Sequence, residues 1–368
     1  MLHGIRILEV EGVGPAPFAG MLLADLGAEV IVVHRKGGPV TPGMPDQPIL
    51  DRGKRSIELD LKDPAGRDSF LALAARADGL IEGFRPGVME RLGLGPADCH
   101  AGNPALVYGR MTGWGQDGPL AATAGHDLNY IAMSGAAWFA SDAGDAPFTP
   151  PTLVGDLGGG AMYLVVGMLA GLLNARATGK GTVVDAAIYD GSAHLMNLMM
   201  TIRQGGLFAM ERGQSLLDGP HWSRCYVCGD GRYLSVQCLE PQFYAAFLDI
   251  LGLGDDPGFA RQYDPRRWPA LTARLRDIFL TRSRNEWAGL FAASDACVAP
   301  VLNPAEAAAH PLNVARQSWS AAADGTLQAA AAPRFSGGDP WTPPPIPARG
   351  QHTAEILAEL GRDGGEKE

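Results

Sequence analysis

Several things are scarce in this chain, and each shortage removes a class of function. Only 19% of its 368 residues are charged, and 30 Lys and Arg are outnumbered by 40 Asp and Glu, a formal charge of -10. That balance works against general attraction to nucleic acid or anionic membranes, so neither is expected as a partner. Cysteine is sparse and odd in number, five at irregular spacing, which suits reduced thiols rather than a disulfide framework. Cys225 and Cys228 form a lone CxxC with Cys238 and His221 nearby, but the second ligand pair of a zinc ribbon is missing and no metal site is expected. Strand alternation around Gly229-Asp230-Gly231 predicts a hairpin there instead, its cysteines packed or pointing outward. Long apolar runs are missing too. The longest, 161–173, contains two glycines and falls short of the roughly 20 residues of a membrane span, so it reads as a buried helix. The opening MLHGIRILEVEG carries charges inside a short apolar run; it lacks the pattern of a secretory signal, and a cytoplasmic location is expected.

What is present is a chain 46% hydrophobic, long enough for a large core divided into two units. Short β-branched runs at 5–10 and 30–33 flank a helical stretch at 17–26. The alternation continues with a helix at 64–77, strands at 78–82 and 105–110, a helix at 157–175 and a strand at 182–187. This order predicts an α/β layer with mostly parallel strands. From about 200 to 224 the pattern turns glycine-rich and irregular, and the hairpin and helices near 242–251, 268–279 and 285–293 open a second unit. A proline-rich segment, PWTPPPIPARG, and an amphipathic helix at 353–360 follow. The tail 363–368 is expected to fray.

The first turn, GVGPAPFAG, places Gly12 and Gly14 after a strand in the manner of a dinucleotide-binding loop. Pro17 stands where the third glycine belongs, and the second strand ends in His34-Arg35 rather than an acid for a ribose hydroxyl, so NAD is set aside. Basic residues recur beyond the strands: Arg35, Lys36, Arg52, Lys54, Arg55, Lys62, Arg85 and Arg91. Many would be ordinary solvated surface, yet an open α/β sheet binds ligands at its carboxyl edge, and a ligand bearing several phosphates would use that charge.

Two segments carry acid-base candidates. In AGHDLNYIAMSG, Asp127 is positioned to cap a helix starting near Leu128, with His126 on the capping turn. In LVGDLGGGAMYL, Asp156 ends a strand-like run and opens the long apolar helix, with three glycines leaving its first-turn amides uncovered as an anion site. Each has an ordinary alternative, a plain N-cap for Asp156 and a satisfied buried histidine for His126.

At these residues the chain resembles the class III coenzyme A transferases, and within them the α-methylacyl-CoA racemase branch. The resemblance runs nearly end to end, through LEVEGVGPAPFAGMLLADLGAEV, DRGKRSIELDLKDPAG, IEGFRPGVMERLGLGP, GRMTGWGQDGPL, GHDLNYIAMSG, VGDLGGGAMYLVVGMLAGL, GKGTVVDAAIYDGS, LEPQFYAAFL and SDACVAPVL. It implies a large Rossmann-like domain and a small α+β domain in an interlocked homodimer. The large domain would take residues 1–200 and the returning segment 311–368; the small domain with its linkers would take 201–310. It further implies that His126 and Asp156 face opposite sides of an α-carbon, and that Glu240, otherwise a surface cap before Pro241, comes from the partner protomer toward the histidine. Coenzyme A would be held by Arg35, Leu59, Asp60, Leu61, Lys62, Gly83, Arg85, Arg91 and the segment Gly125, Asp127, Leu128, Asn129, Tyr130. No cofactor is implied beyond the coenzyme A of the substrate.

The chemistry fits such a pair. A proton beside a thioester is weakly acidic, so its removal needs an aimed base and stabilisation of the enolate oxygen, for which the amides after Asp156 are candidates. Inversion needs a second group on the far face. The expected activity is thus interconversion of 2-methylacyl-CoA epimers, a step of fatty acid and lipid metabolism. The alternatives are a coenzyme A transferase with Asp156 as nucleophile and a silent acyl-CoA-binding protein; His126, absent from the transferase branch, favours the racemase. Methionines 133, 162, 199, 200 and 210 would be a pliable lining for the acyl chain or core filler.

Overall fold

The computed structural model describes residues 1–37, 44–322, 325–337 and 341–362; the tail expected to fray lies outside them. The chain divides into two units. One comprises 1–136, 150–195 and 314–368, the other 137–149 and 196–313. The crossing of 137–149 into the second unit has no counterpart in the sequence pattern.

The first unit is a six-stranded, fully parallel sheet. Its strands are β1 (Arg6–Val10), β2 (Glu29–Arg35), β3 (Arg55–Leu59), β4 (Gly79–Glu82), β5 (Val107–Thr112) and β6 (Thr182–Ala187), in the order β3-β2-β1-β4-β5-β6. β3 lies in a stretch the sequence offered only as a basic loop. The connecting helices are α1 (Pro15–Asp25), α2 (Pro64–Ala74), α3 (Val88–Arg91), α4 (Pro96–Gly102), α5 (Asp127–Ser134), α6 (Met162–Thr178) and α7 (Ile188–Leu195). Because successive side chains of a strand point to opposite faces, Ile7 packs with Leu164, Val165 and Met168 of α6, while Leu8 and Val10 pack with Phe70 and Leu73 of α2. Strand order reverses between β1 and β4, and the crevice at the carboxyl ends there is where such sheets take ligands.

The close helix–strand approach that a third loop glycine would give comes from Gly20 of α1. A Cβ there would fall 1.7 Å from Glu9 Oε2. Glu9 is fully buried beneath α1, and burial pushes its carboxyl up to about 7 despite the adjacent Lys54 ammonium, 2.7 Å away.

The apolar run at 157–175 departs from expectation. Leu153–Ala161 is a π-helix that continues into α6 as one 26-residue rod, long and apolar enough by length and composition to cross a membrane. In this fold it packs on β5 and β6. Only one side is buried: Met162, Val166 and Leu173 are 44%, 62% and 72% exposed.

The second unit contains α8 (Asn197–Gln204), the antiparallel β7 (Ser223–Val227), β8 (Tyr233–Gln237) and β9 (Val298–Pro300), and the helices α9 (Pro241–Leu251), α10 (Trp268–Phe279) and α11 (Arg284–Phe291). Trp222, Tyr226, Phe247, Phe279 and Trp287 form its core. The hairpin exposes Cys225 and buries Cys228. The chain then passes through α12 (Pro304–Ala309), α13 (Pro311–Arg316), the pair β10 (Trp319–Ala321) and β11 (Leu327–Ala329), and α14 (Thr353–Arg362). Ile356 of α14 is fully buried in the core of the first unit.

Candidate active site

Two clefts open at the carboxyl edge of the parallel sheet, on either side of the β1–α1 loop. The first, about 560 Å³, is lined by Arg35, Leu59, Asp60, Leu61, Lys62 and Arg91 among others; the second, about 350 Å³, by Gly83, Arg85, Gly125, His126, Tyr130 and Asp156. Val13 and Phe84 wall both. Of the candidate site residues, Asp127, Leu128, Asn129 and Glu240 line neither.

The basic residues divide by surroundings. Arg35, Lys62, Arg85 and Arg91 are exposed. Arg52, Lys54 and Arg55 are not available to phosphates, contrary to expectation. Arg52 is buried against Asp25 at 2.5 Å, Lys54 against Glu9 and Asp51, and Arg55 holds Glu29, Glu355 and Glu359. These pairs fix the sheet edge internally. Buried Glu82 at the end of β4 accepts from the Phe84 amide at 2.7 Å and from Arg110 at 3.0 Å, which sets the course of the loop bearing Arg85.

His126 is exposed and extended at the N-cap of α5, its amide donating to Asn129 Oδ1 at 3.0 Å. It is therefore not a satisfied buried histidine. Tyr130, one turn along, packs edge-on against Trp114 with centroids 4.8 Å apart and donates to the Gly125 carbonyl, tying the preceding loop to the helix. Burial, and then the Asp156 charge, raise its phenol above the ordinary value.

Asp156 is not an N-cap. It lies in the first turn of the π-helix, whose cap position is Thr152. Burial, then the Asp127 carboxylate, push its pKa up to about 6, with His126 pulling the other way. The loop before α1 approaches it, a Cβ on Gly14 falling 3.9 Å from Asp156 Oδ2, and the φ of +76° at Gly14 is one that glycine adopts without strain.

The glycine triplet serves packing. A Cβ on Gly159 would meet Ser192 Oγ at 2.4 Å and one on Gly160 would meet Ile188 Cγ1 at 2.9 Å. The amides around Asp156 are also occupied: those of Gly155 and Asp156 donate to Asp127 Oδ1 at 2.9 and 2.8 Å, and that of Leu157 to the Thr152 carbonyl at 3.0 Å. The oxyanion role expected of them is thus corrected. Asp127, expected to cap its own helix, caps the π-helix instead.

Glu240 belongs to the second unit, exposed at the start of α9, and its side chain makes no capping bond. The chain before it is held by Gln262 Nε2, which donates to the carbonyls of Cys238 and Leu239 at 3.0 and 2.8 Å. The cavity wall also includes Met111, Trp114 and Ile188, for which sequence offered no signal beyond their place in the GRMTGWG and GKGTVVDAAIYDGS motifs. None of the five methionines singled out is buried, so they are not core filler.

Residues 2–353 match the family model described as CoA-transferase family III. The chain belongs to CoA-transferase family III. It is 38% identical to an alpha-methylacyl-CoA racemase of Mus musculus and 37% to that of Homo sapiens, each over 98% of this chain and 93% of the relative. It is 32% identical to a succinyl-CoA–D-citramalate CoA-transferase of Chloroflexus aurantiacus, over 98% of this chain and 94% of that protein. A crystal structure of a CaiB/BaiF family protein from Brucella suis superposes with a TM-score of 0.82 at 27% identity, covering 98% of this chain and 99% of that one.

Proposed function

We propose that this family III protein is an α-methylacyl-CoA racemase, interconverting 2R and 2S epimers of 2-methylacyl-CoA by proton transfer through an enolate. The observation that carries the proposal is that a histidine and a carboxylate raised to about 6 line one cavity, beside a cleft whose exposed cations suit phosphates. The identities of 37–38% to racemases support it. In this mechanism one of His126 and Asp156 removes the α-proton while the other delivers a proton to the opposite face, and the roles exchange for the other epimer. His126 stands at the N-terminus of α5, whose partial positive charge favours the developing enolate. Arg35, Lys62, Arg85 and Arg91 meet the phosphates. Glu240 acts from the second protomer of a homodimer, fixing the imidazole tautomer.

A raised Asp156 serves this chemistry. The reacting state carries one proton shared by the pair, and it exists as two tautomers, each competent for one epimer. A carboxylate at its ordinary value of about 3.9 would rarely hold a proton near neutral pH; burial and the Asp127 charge raise Asp156 to about 6, so that it can hold one for delivery.

The test is exchange of the α-proton of single-epimer 2-methylacyl-CoA with deuterium oxide, with an acceptor carboxylate added in parallel. Wild type should exchange both epimers. His126→Ala and Asp156→Ala should each lose about 10²–10⁴-fold in rate with coenzyme A affinity nearly retained, and Arg85→Ala should raise KM about tenfold or more with little change in kcat. Transfer to the acceptor without exchange would establish the nucleophilic alternative.

A further inference from the structure

The carboxylate of Asp127 is buried, 7% exposed, in the wall between α5 and the π-helix. It adjoins His126 in sequence and reaches across 28 and 29 positions to the amides of Gly155 and Asp156. Both bonds use Oδ1. In a π-helix each N–H bonds five residues back, so the first five amides have no partner inside the regular part. The Leu157 amide finds Thr152, and Asp127 supplies the acceptor for the two before it. Position 155 is shaped for this contact: a Cβ there would stand 2.5 Å from Asp127 Oδ1 and 2.8 Å from Ile131 Cγ2.

We propose, resting on the racemase reading above, that Asp127 is the positioning residue of the proton-transfer pair: its carboxylate ties the turn bearing His126 to the turn bearing Asp156, and its charge acts on Asp156. The two effects are separable. The hydrogen bonds fix the separation and aim of the two reacting groups, which must stand on opposite faces of one carbon. The charge disfavours ionisation of Asp156, in the same direction as the burial that dominates its raised value. The other ionisable groups around Asp156 are His126 and Tyr130 on α5 and Arg85 on the loop after β4, all lining the same cavity. Of the groups acting on Asp156, Asp127 supplies the like charge and His126 opposes it.

Two substitutions divide the effects. Asp127→Asn keeps an amide oxygen able to accept both N–H groups and removes the charge; it is close to isosteric and should fold. Gly155→Ala keeps the charge and forces Asp127 out of contact. Each is followed by α-proton exchange of both epimers against pH, and by direct titration of the Asp156 carboxyl through the ¹³C-aspartate signal missing from Asp156→Ala. In Asp127→Asn the acid limb of the pH profile and the Asp156 titration should both move to lower pH. Gly155→Ala should lose at least tenfold in kcat for both epimers, with KM for the thioester little changed. An Asp156 titration in Asp127→Asn that superimposes on wild type overturns the inference, as does a fully active Gly155→Ala. Wild type that exchanges neither epimer overturns the racemase reading instead, and the titration still decides the effect of Asp127 on Asp156.

Discussion

Lys54 and Arg91 are both basic residues near the same sheet edge, and they are put to opposite uses. Lys54 is spent inside the fold, its ammonium enclosed with Glu9, Asp51 and the Pro17 carbonyl, whereas Arg91 is exposed and lines the larger cleft. Lys54→Ala leaves Glu9 buried and unpaired, at a cost of up to about 3–5 kcal/mol. The denaturant midpoint should fall steeply with KM for the thioester unchanged, and Arg91→Ala should do the reverse. A position-54 variant with a native midpoint and a raised KM would contradict this division. Sequence could not separate the two, because Glu9 and Asp25, which decide the fates of Lys54 and Arg52, lie far away along the chain. His126 and Asp156 were legible because motif and neighbours travelled together. The direction of the Asp127 side chain was not, since its acceptors' partners come from another segment.

Among the elements, the parallel strands were the easiest to anticipate. β1, β2, β4, β5 and β6 are compact β-branched or apolar runs, and periodicity located them to within a few residues. The π-helix left no such trace. Its side chains share the apolar composition of α6, and nothing in the order of residues distinguishes five-residue from four-residue bonding; only the tertiary partners do, with α7 against the glycines and Asp127 against the leading amides. Gly159→Ala should therefore cost roughly 1–3 kcal/mol by overpacking against the backbone and hydroxyl of Ser192. Gly289→Ala, at an exposed site in α11 with nothing within 4 Å of the new methyl, should instead stabilise by about 0.5–1 kcal/mol. Urea titrations of the two variants should move in opposite directions, and a shared sign would count against the packing account of the triplet.

For the molecule as a whole, the C-terminal segment is a structural member of the first unit. His352 and Thr353 accept hydrogen bonds from the Ser56 and Glu58 amides on the outer side of β3, at 3.0 and 3.1 Å, and Arg55 binds Glu355 and Glu359 of α14. Ile356→Ala should cost about 2–5 kcal/mol, read as a lowered midpoint in chemical denaturation; a negligible change would mean α14 contributes little. Amphipathic patterning revealed that this helix exists, but its docking site on β3 could not be read, because β3 itself had been masked by the basic residues around it.

Val13 and Phe84 are surfaces of both clefts. A side chain altered at either position is felt simultaneously by whatever grips the anionic handle and by whatever handles the reacting carbon. Selection on one of these tasks must therefore pass through the other, and a laboratory effort to change acyl preference would do better to begin at Met111 or Ile188, which border the smaller cleft alone.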